Sequence, residues 1–555
     1  MVNSNQYGRS CIGLLVITVC TMFVLSCQKT NFSTTDIYQP NAKVDISFGT
    51  DAPQPSVVSE GTIVKYGISG LKAVPQGRYK FYINQMEAGI QEVTDTYISV
   101  RVPVNASSGS ASVVFDDGQI YYGPGITVRG NTQIADDFLA GIGSNKALSN
   151  GSPSFASING ITARPDGNYL IYGNFDEYGN TIVATNITKN IQVIDNTGKA
   201  LAAESQFVMG KLGLNGAVND IKILDNGMYL VSGNFSTYDT MSNVNGVARF
   251  LTNRTLDFSN YEVANPDPET KPQNSFKAGS AINGGNPGGV LNTYEDTDGK
   301  YITVGNYNTY SSIYYPNSTV GSLQLDVITS LGLTKMDELG NFDSTFNYDY
   351  TTKKSFAGAN GSVITSAQLY EGQIVLGGTF TTFHGKPASR LVCIDPATGL
   401  ISNAFSGSTD GPVYKITYNV NTERLVITGN FKLYNGVAVN GVAVVKEDGS
   451  LDTDVLIKPM ADGVPTYCAQ LNDGRFIISG TFVKYDNIVR SGFAILNQDG
   501  TLAGGYNNTG LFRGRIYGHA EKDVFGATAL YLVGNFDRFD NREVGNIVKI
   551  VLNNN

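Results

Sequence analysis

The stretch "NYNTYSSIYYPNSTV" (306–320) sets Tyr307, Tyr310, Tyr314 and Tyr315 close together, and "FNYDYTTKK" (346–354) adds Tyr348 and Tyr350. A tyrosine offers a flat apolar face and a hydroxyl. Such a group could stack on the C–H face of a sugar, or pack on a peptide or another protein. The same rings could instead fill seams between strands. Tyr307 belongs to a repeated motif, which leaves Tyr310, Tyr314, Tyr315, Tyr348 and Tyr350 as candidate ligand-binding residues. A lengthened segment, 259–290, precedes them, and long loops on a rigid scaffold are where binding usually lives.

Acid–base and metal chemistry have little to work with. The chain carries two histidines, His384 in "TTFHGKPASR" and His519 in "RIYGHAEKD". Each could act as a general base, but the reading for a lone histidine in a loop is a solvated side chain. There is no G-x-S-x-G, H-E-x-x-H, Walker or G-x-G-x-x-G signature. Asp136-Asp137 and Asp296-Thr297-Asp298-Gly299 read as turns, the latter without the closing acidic spacing of a calcium loop. Cys393 in "RLVCID" and Cys468 in "TYCAQL" sit in apolar, strand-like text and read as buried free thiols, with a pairing between them left open. No catalytic residue, metal or cofactor is expected.

The elements that must position any site are repetitive. Seven segments share one ending: "NYLIYGNF" (Gly173, Phe175), "MYLVSGNF" (Gly233, Phe235), "KYITVGNY" (Gly305, Tyr307), "QIVLGGTF" (Gly378, Phe380), "RLVITGNF" (Gly429, Phe431), "RFIISGTF" (Gly480, Phe482) and "LYLVGNF" (Gly534, Phe536). Successive glycines lie 51 to 73 positions apart, a period that means an array or a propeller. Apolar runs give about four strands per unit, and Asp448-Gly449 and Asp499-Gly500 suit hairpins that need positive φ. The glycine is expected where a Cβ would crowd the neighbouring sheet or force an unfavourable φ/ψ. The aromatic residue is expected to plug the seam between blades. Seven near-copies point to architecture, because a catalytic site needs its residues once. "IADDFLAG" (134–141) resembles the tail of a unit, while the C-terminal unit stops at "VGNIVKIVLNNN". The segment near 134–141 should therefore complete the last blade and close the ring.

Composition agrees. With 63 glycines among 555 residues, 31 tyrosines, 27 phenylalanines and no tryptophan, the chain reads as all-β with many tight turns. The expected fold is an N-terminal immunoglobulin-like β-sandwich over 41–130, followed by a seven-bladed β-propeller over 131–555. In the first part "TYISVRVPV" alternates Ile98, Val100 and Val102 against Ser99 and Arg101. A formal charge of −9 with no basic stripe argues against a nucleic-acid partner.

The N-terminus reads as an address. Arg9 is followed by an apolar run from Cys11 to Leu25, which fits the core of a signal peptide over 1–26 and is short for a spanning helix. Val24-Leu25-Ser26-Cys27 resembles a bacterial lipobox, with Val24 where leucine is commoner. That implies lipidation at Cys27 and a flexible tether over 27–40.

Two further resemblances follow from quoted residues. "PSVVSEGTIVKYGISGL" and "VRVPVNASSGSASVVF" look like a TIG/IPT domain, which would serve as a spacer. The seven-fold motif resembles the bacterial delta-60-type propeller repeat. Together with the lipobox, these resemble Bacteroidetes lipoproteins that accompany SusC/SusD-type outer-membrane uptake systems. The resemblance implies a non-catalytic, outer-membrane lipoprotein at the cell surface rather than the periplasmic face. It would bind a nutrient, glycan before peptide, with a SusC/SusD-like transporter as partner. Two other readings stay open: a propeller-based polysaccharide lyase or glycoside hydrolase, and a structural or adhesion protein that binds another envelope protein.

Overall fold

The computed structural model describes residues 43–138, 156–176, 178, 189–201, 207, 212–264 and 275–554. The signal segment 1–26, Cys27 and the tether 27–40 lie outside the described residues.

Strand Ile63–Ser69 alternates buried and exposed positions along its whole length, turning Val64, Tyr66 and Ile68 inward. It pairs with Tyr97–Arg101. The first half of Met86–Val93 pairs with Tyr79–Ile83 and its second half with Tyr97–Arg101. That strand is the corner where the sheet folds over, and Tyr66 meets Phe81 from the other half at a ring separation of 5.0 Å. Ile98, Val100 and Val102 are buried and Arg101 is exposed, as the alternation expects. Ser99 is buried as well, against the alternation.

Seven sheets follow, each built around one motif strand. The motif strands are Tyr169–Asn174, Tyr229–Gly233, Tyr301–Gly305, Ile374–Gly378, Arg424–Gly429, Phe476–Gly480 and Ala527–Phe539. Each lies between an inner strand that precedes it and a third strand that follows it. In six sheets the expected fourth strand shrinks to one bridging residue: Ala200, Leu256, Phe342, Ile401, Leu451 or Leu502. In the seventh sheet that place is taken by Thr132–Ile134, which pairs antiparallel with Ile547–Asn553. The closing strand thus ends at Ile134, where the expected segment 134–141 begins; residues 135–138 are a turn, and 139–155 lie outside the described ones. Closure covers the edge of Ile547–Asn553 and ties the two ends of the ring together.

The core is divided among the seams between sheets. Leu170, Tyr172 and Val193 of the first sheet pack with Val218, Val231 and Phe235 of the second. Tyr169, Ile171 and Phe175 of the first sheet pack with Tyr531, Val533 and Ile547 of the seventh, which completes the ring.

All seven motif aromatics are buried: Phe175, Phe235, Tyr307, Phe380, Phe431, Phe482 and Phe536. Six of them sit in a seam cluster. Tyr307 differs, its hydroxyl donating to the Thr303 carbonyl at 2.9 Å. The Asp-Gly turns behave as expected, with Gly449 at φ 83° and Gly500 at φ 86°. Cys393 and Cys468 are buried free thiols, and burial pushes the Cys393 thiol up to about 11.

Asn508 bolts the sandwich to the ring. Its carbonyl accepts from the Ser108 amide at 2.9 Å, and its side-chain amide donates to the carbonyls of Val128 and Thr132 at 3.2 and 3.0 Å. Arg490 adds a bond to the Asn105 carbonyl at 3.1 Å.

Candidate functional site

The five candidate tyrosines do not form one surface. Tyr310 is 1% exposed, its hydroxyl bonded to the Gly340 carbonyl and its ring 5.2 Å from Phe342, which in turn lies 5.4 Å from Tyr348. Tyr315 is 7% exposed and stacks flat on Tyr261 at 4.0 Å. These two rings fill strand seams and present no face to a ligand. Tyr314 and Tyr350 are exposed, at 49% and 76%. The stretches read as long loops contain paired strands: Phe258–Val263 pairs with Ser275–Ser280, and Thr309–Ile313 pairs with Leu325–Thr329. Asp296 belongs to a turn and forms an ion pair with Lys335.

The motif glycines build a different site. Gly233 pairs with Val218, and the next registered pair skips to Ser232 with Asp220, so Asn219 bulges out of the inner strand. A Cβ on Gly233 would overlap the Ala217 carbonyl oxygen, so the close approach at the bulge requires glycine. None of the seven motif glycines has positive φ, which makes crowding the operative reason. The crowding comes from the adjacent strand of the same sheet, not from a neighbouring sheet.

Every sheet repeats this device. Ile158, Val290, Val363, Val413, Pro465 and Ile516 face the other motif glycines, and each is followed by one bulged residue. The bulged residues are Asn159, Asn219, Leu291, Ile364, Tyr414, Thr466 and Tyr517. All seven line a single cavity of about 600 Å³, with Ser157, Asn292, Thr365, Ser366, Lys415 and Arg515. Because every inner strand contributes to it, this cavity lies on the axis of the ring.

Two family profiles match the chain. Residues 23–124 match DUF5008, a domain of unknown function. Residues 424–454 and 471–502 match DUF5122, a β-propeller domain of unknown function. The second match runs from the motif strand to the outermost bridging residue of the fifth and sixth sheets. No curated protein matches the chain. Similar solved structures include an auxiliary nutrient binding protein from Bacteroides ovatus ATCC 8483, at 11% identity and TM-score 0.30, over 91% of this chain and 97% of that one. Another, from Bacteroides thetaiotaomicron VPI-5482, is 9% identical at TM-score 0.31, over 90% and 98%. The Dos1 propeller is 11% identical at TM-score 0.33, over 74% and 83%.

Part of the cavity lining is already bonded within the ring. Asn159 donates to the Val218 carbonyl at 3.0 Å and to Asn219 Oδ1 at 3.1 Å, and Asn219 donates to the Val290 carbonyl at 2.7 Å. Asn292 Oδ1 accepts from Ser366 Oγ at 2.9 Å. A second cavity, of about 260 Å³, lies further along the fifth, sixth and seventh inner strands and includes Asn419, His519 and Glu521.

The histidines are not the solvated loop groups the sequence suggests. His384 has Phe383 and Phe356 at 4.5 and 5.7 Å, and burial takes its pKa down to about 4. His519 lies on the inner strand Arg513–Val524, where its Nδ1 shares a 2.7 Å hydrogen bond with the Tyr467 hydroxyl. Burial first, and the charge of Lys415 second, lower its pKa to about 4.

Both histidines are therefore neutral near pH 7. Between pH 6.5 and 4 the unfolded chain binds more protons than the folded one, so stability is whole above 6.5 and falls as pH drops towards 4. His519 alone should account for roughly 3 kcal/mol of that loss. Melting temperature followed from pH 7 to 4 should fall, and should fall less for His519→Gln. A variant with the parental pH profile would exclude this role for His519.

The axial residues were readable in principle. Five of them, Asn159, Asn219, Leu291, Ile364 and Thr466, stand 14 positions before their motif glycine. Their types vary, while the preceding residue is Ile, Val or Pro in every unit.

Proposed function

We propose that this chain is a non-catalytic envelope lipoprotein whose seven sheets form a seven-bladed propeller that holds a nutrient glycan in its axial cavity. In this reading lipid on Cys27 moors the chain to the outer membrane at the cell surface. The sandwich serves as a spacer, and a SusC/SusD-type transporter takes up the captured ligand. The observation that carries the binding role is the lining itself. Thr466 supplies a hydroxyl without a partner among the described residues, Asn292 supplies an amide, and Tyr414 and Tyr517 supply aromatic faces, around about 600 Å³. Amides and hydroxyls match the hydroxyls of a sugar, and tyrosine rings match its C–H face. Glycoside hydrolysis needs a pair of carboxyl groups across the scissile bond. Among the described residues that line this cavity there is no Asp or Glu, which favours binding over cleavage.

The test is retention of the full chain on a glycan array. Tyr414→Ala with Tyr517→Ala should weaken retention roughly 10-fold or more, with the melting temperature nearly unchanged. Undiminished retention would place the ligand elsewhere.

A further inference from the structure

The axial cavity has an uneven charge. Lys415 and Arg515 both line it. Neither has a hydrogen-bond acceptor or carboxylate partner among the described residues. The ammonium of Lys415 instead lies 5.9 Å from the centre of the Tyr467 ring. The carboxylate acting on Lys415 is Asp220, on the second inner strand, and it is already engaged. Lys222 Nζ stands 3.7 Å from Asp220 Oδ2, and the Thr293 amide donates to the same oxygen at 3.5 Å. His519 adds no negative charge, since it is either neutral or cationic. Glu521 belongs to the second cavity, where it accepts from the Asn472 amide at 3.0 Å. Counting Lys222, Lys415 and Arg515 against Asp220 leaves two positive charges unmatched.

Elsewhere the chain pairs cations of this kind. Arg249 is held by Asp257, Arg424 by Asp452 and Lys335 by Asp296, all at the ring's sheets. The chain as a whole is acidic, with a formal charge of −9. Lys415, partly buried and without a carboxylate of its own, is therefore a local departure from the pattern of the molecule, and the exposed Arg515 adds a second positive charge to the same cavity lining. Removal of a cation from bulk water is costly without a counter-charge, and burial does lower the pKa of Lys415. A guanidinium can hold a carboxylate or sulfate through two parallel bonds, and an ammonium adds a point charge.

From this we infer that the axial cavity selects acid-bearing glycans, with Lys415 and Arg515 binding the carboxylate or sulfate substituents of the sugar units. The inference rests on the glycan-binding reading above and gives it a ligand class. The neutral amides and the tyrosine rings would hold the sugar ring, and the two cations would discriminate by charge.

The test uses the full chain on an array carrying neutral, uronic-acid, sialylated and sulfated oligosaccharides. Retention should concentrate on acid-bearing spots and weaken as salt rises. Lys415→Gln and Arg515→Gln should each weaken that retention roughly 10- to 100-fold, at unchanged melting temperature. Preference for carboxylated over sulfated spots, or the reverse, identifies the substituent. Retention on neutral spots only, or variants that hold acidic glycans as well as the parent, would overturn this inference and leave glycan binding standing. Retention on no glycan would overturn both.

Discussion

Phe235→Ala should destabilise the ring by about 3–5 kcal/mol, the range for removing a buried aromatic side chain. Phe235 is 1% exposed and shares a seam with Leu170, Tyr172 and Val193 of the preceding sheet. The lost contacts belong to two sheets at once, so the cavity cannot be closed by one of them relaxing. Calorimetry should show a lowered melting temperature, and hydrogen exchange should report the loss in both the first and second sheets. An unchanged melting temperature would mean that the motif aromatic does not hold the seam. Tyr307→Phe is a useful contrast, because it removes only the hydroxyl that bonds Thr303. Its cost should be nearer the ~1 kcal/mol of a single hydrogen bond.

Gly534→Ala should cost at least as much and should also damage the site. A Cβ there would overlap the Arg515 carbonyl oxygen and approach the Cα of Ile516. Overpacking by a methylene among mobile side chains costs about 1–3 kcal/mol. Here the obstacle is the backbone of a paired strand, which yields only by breaking its ladder. The bulge at Tyr517 lies at this point, between the registered residues Ile516 and Gly518. The variant should therefore lose both stability and glycan retention, while an alanine at the exposed Gly504, where an added Cβ meets nothing, should leave both intact. A Gly534→Ala protein with parental melting and binding would refute the link between motif and cavity.

How much of this could be read from the chain depends on periodicity. Seven glycine–aromatic endings announce a repeated β unit, and the burial of all seven aromatics follows from their recurrence in one place of the unit. Ring closure was legible because the N-terminal "IADDFLAG" looks like the tail the last unit lacks. The tyrosine cluster misled, because crowding in sequence is not crowding in space. The strand Thr309–Ile313 ends just before them and a short 3-10 helix, Tyr315–Asn317, begins, so the chain turns and leaves Tyr314 exposed while Tyr315 stacks on Tyr261. The axial residues escaped notice for the complementary reason. Asn159, Tyr414 and Tyr517 are single residues separated by hundreds of positions, and only ring closure brings them together. The reason for the motif glycine was half legible. Crowding was one of two options, and the bulge register decides between them.

The most direct measurement is hydroxyl-radical footprinting of the full chain with and without an oligosaccharide that the array retains. If the glycan occupies the ring axis, Tyr414 and Tyr517 become protected while the exposed Tyr314 and Tyr350 react as before. Protection of Tyr314 and Tyr350, with Tyr414 and Tyr517 unchanged, would contradict an axial site and return the ligand to the exposed turns that carry Tyr314 and Tyr350.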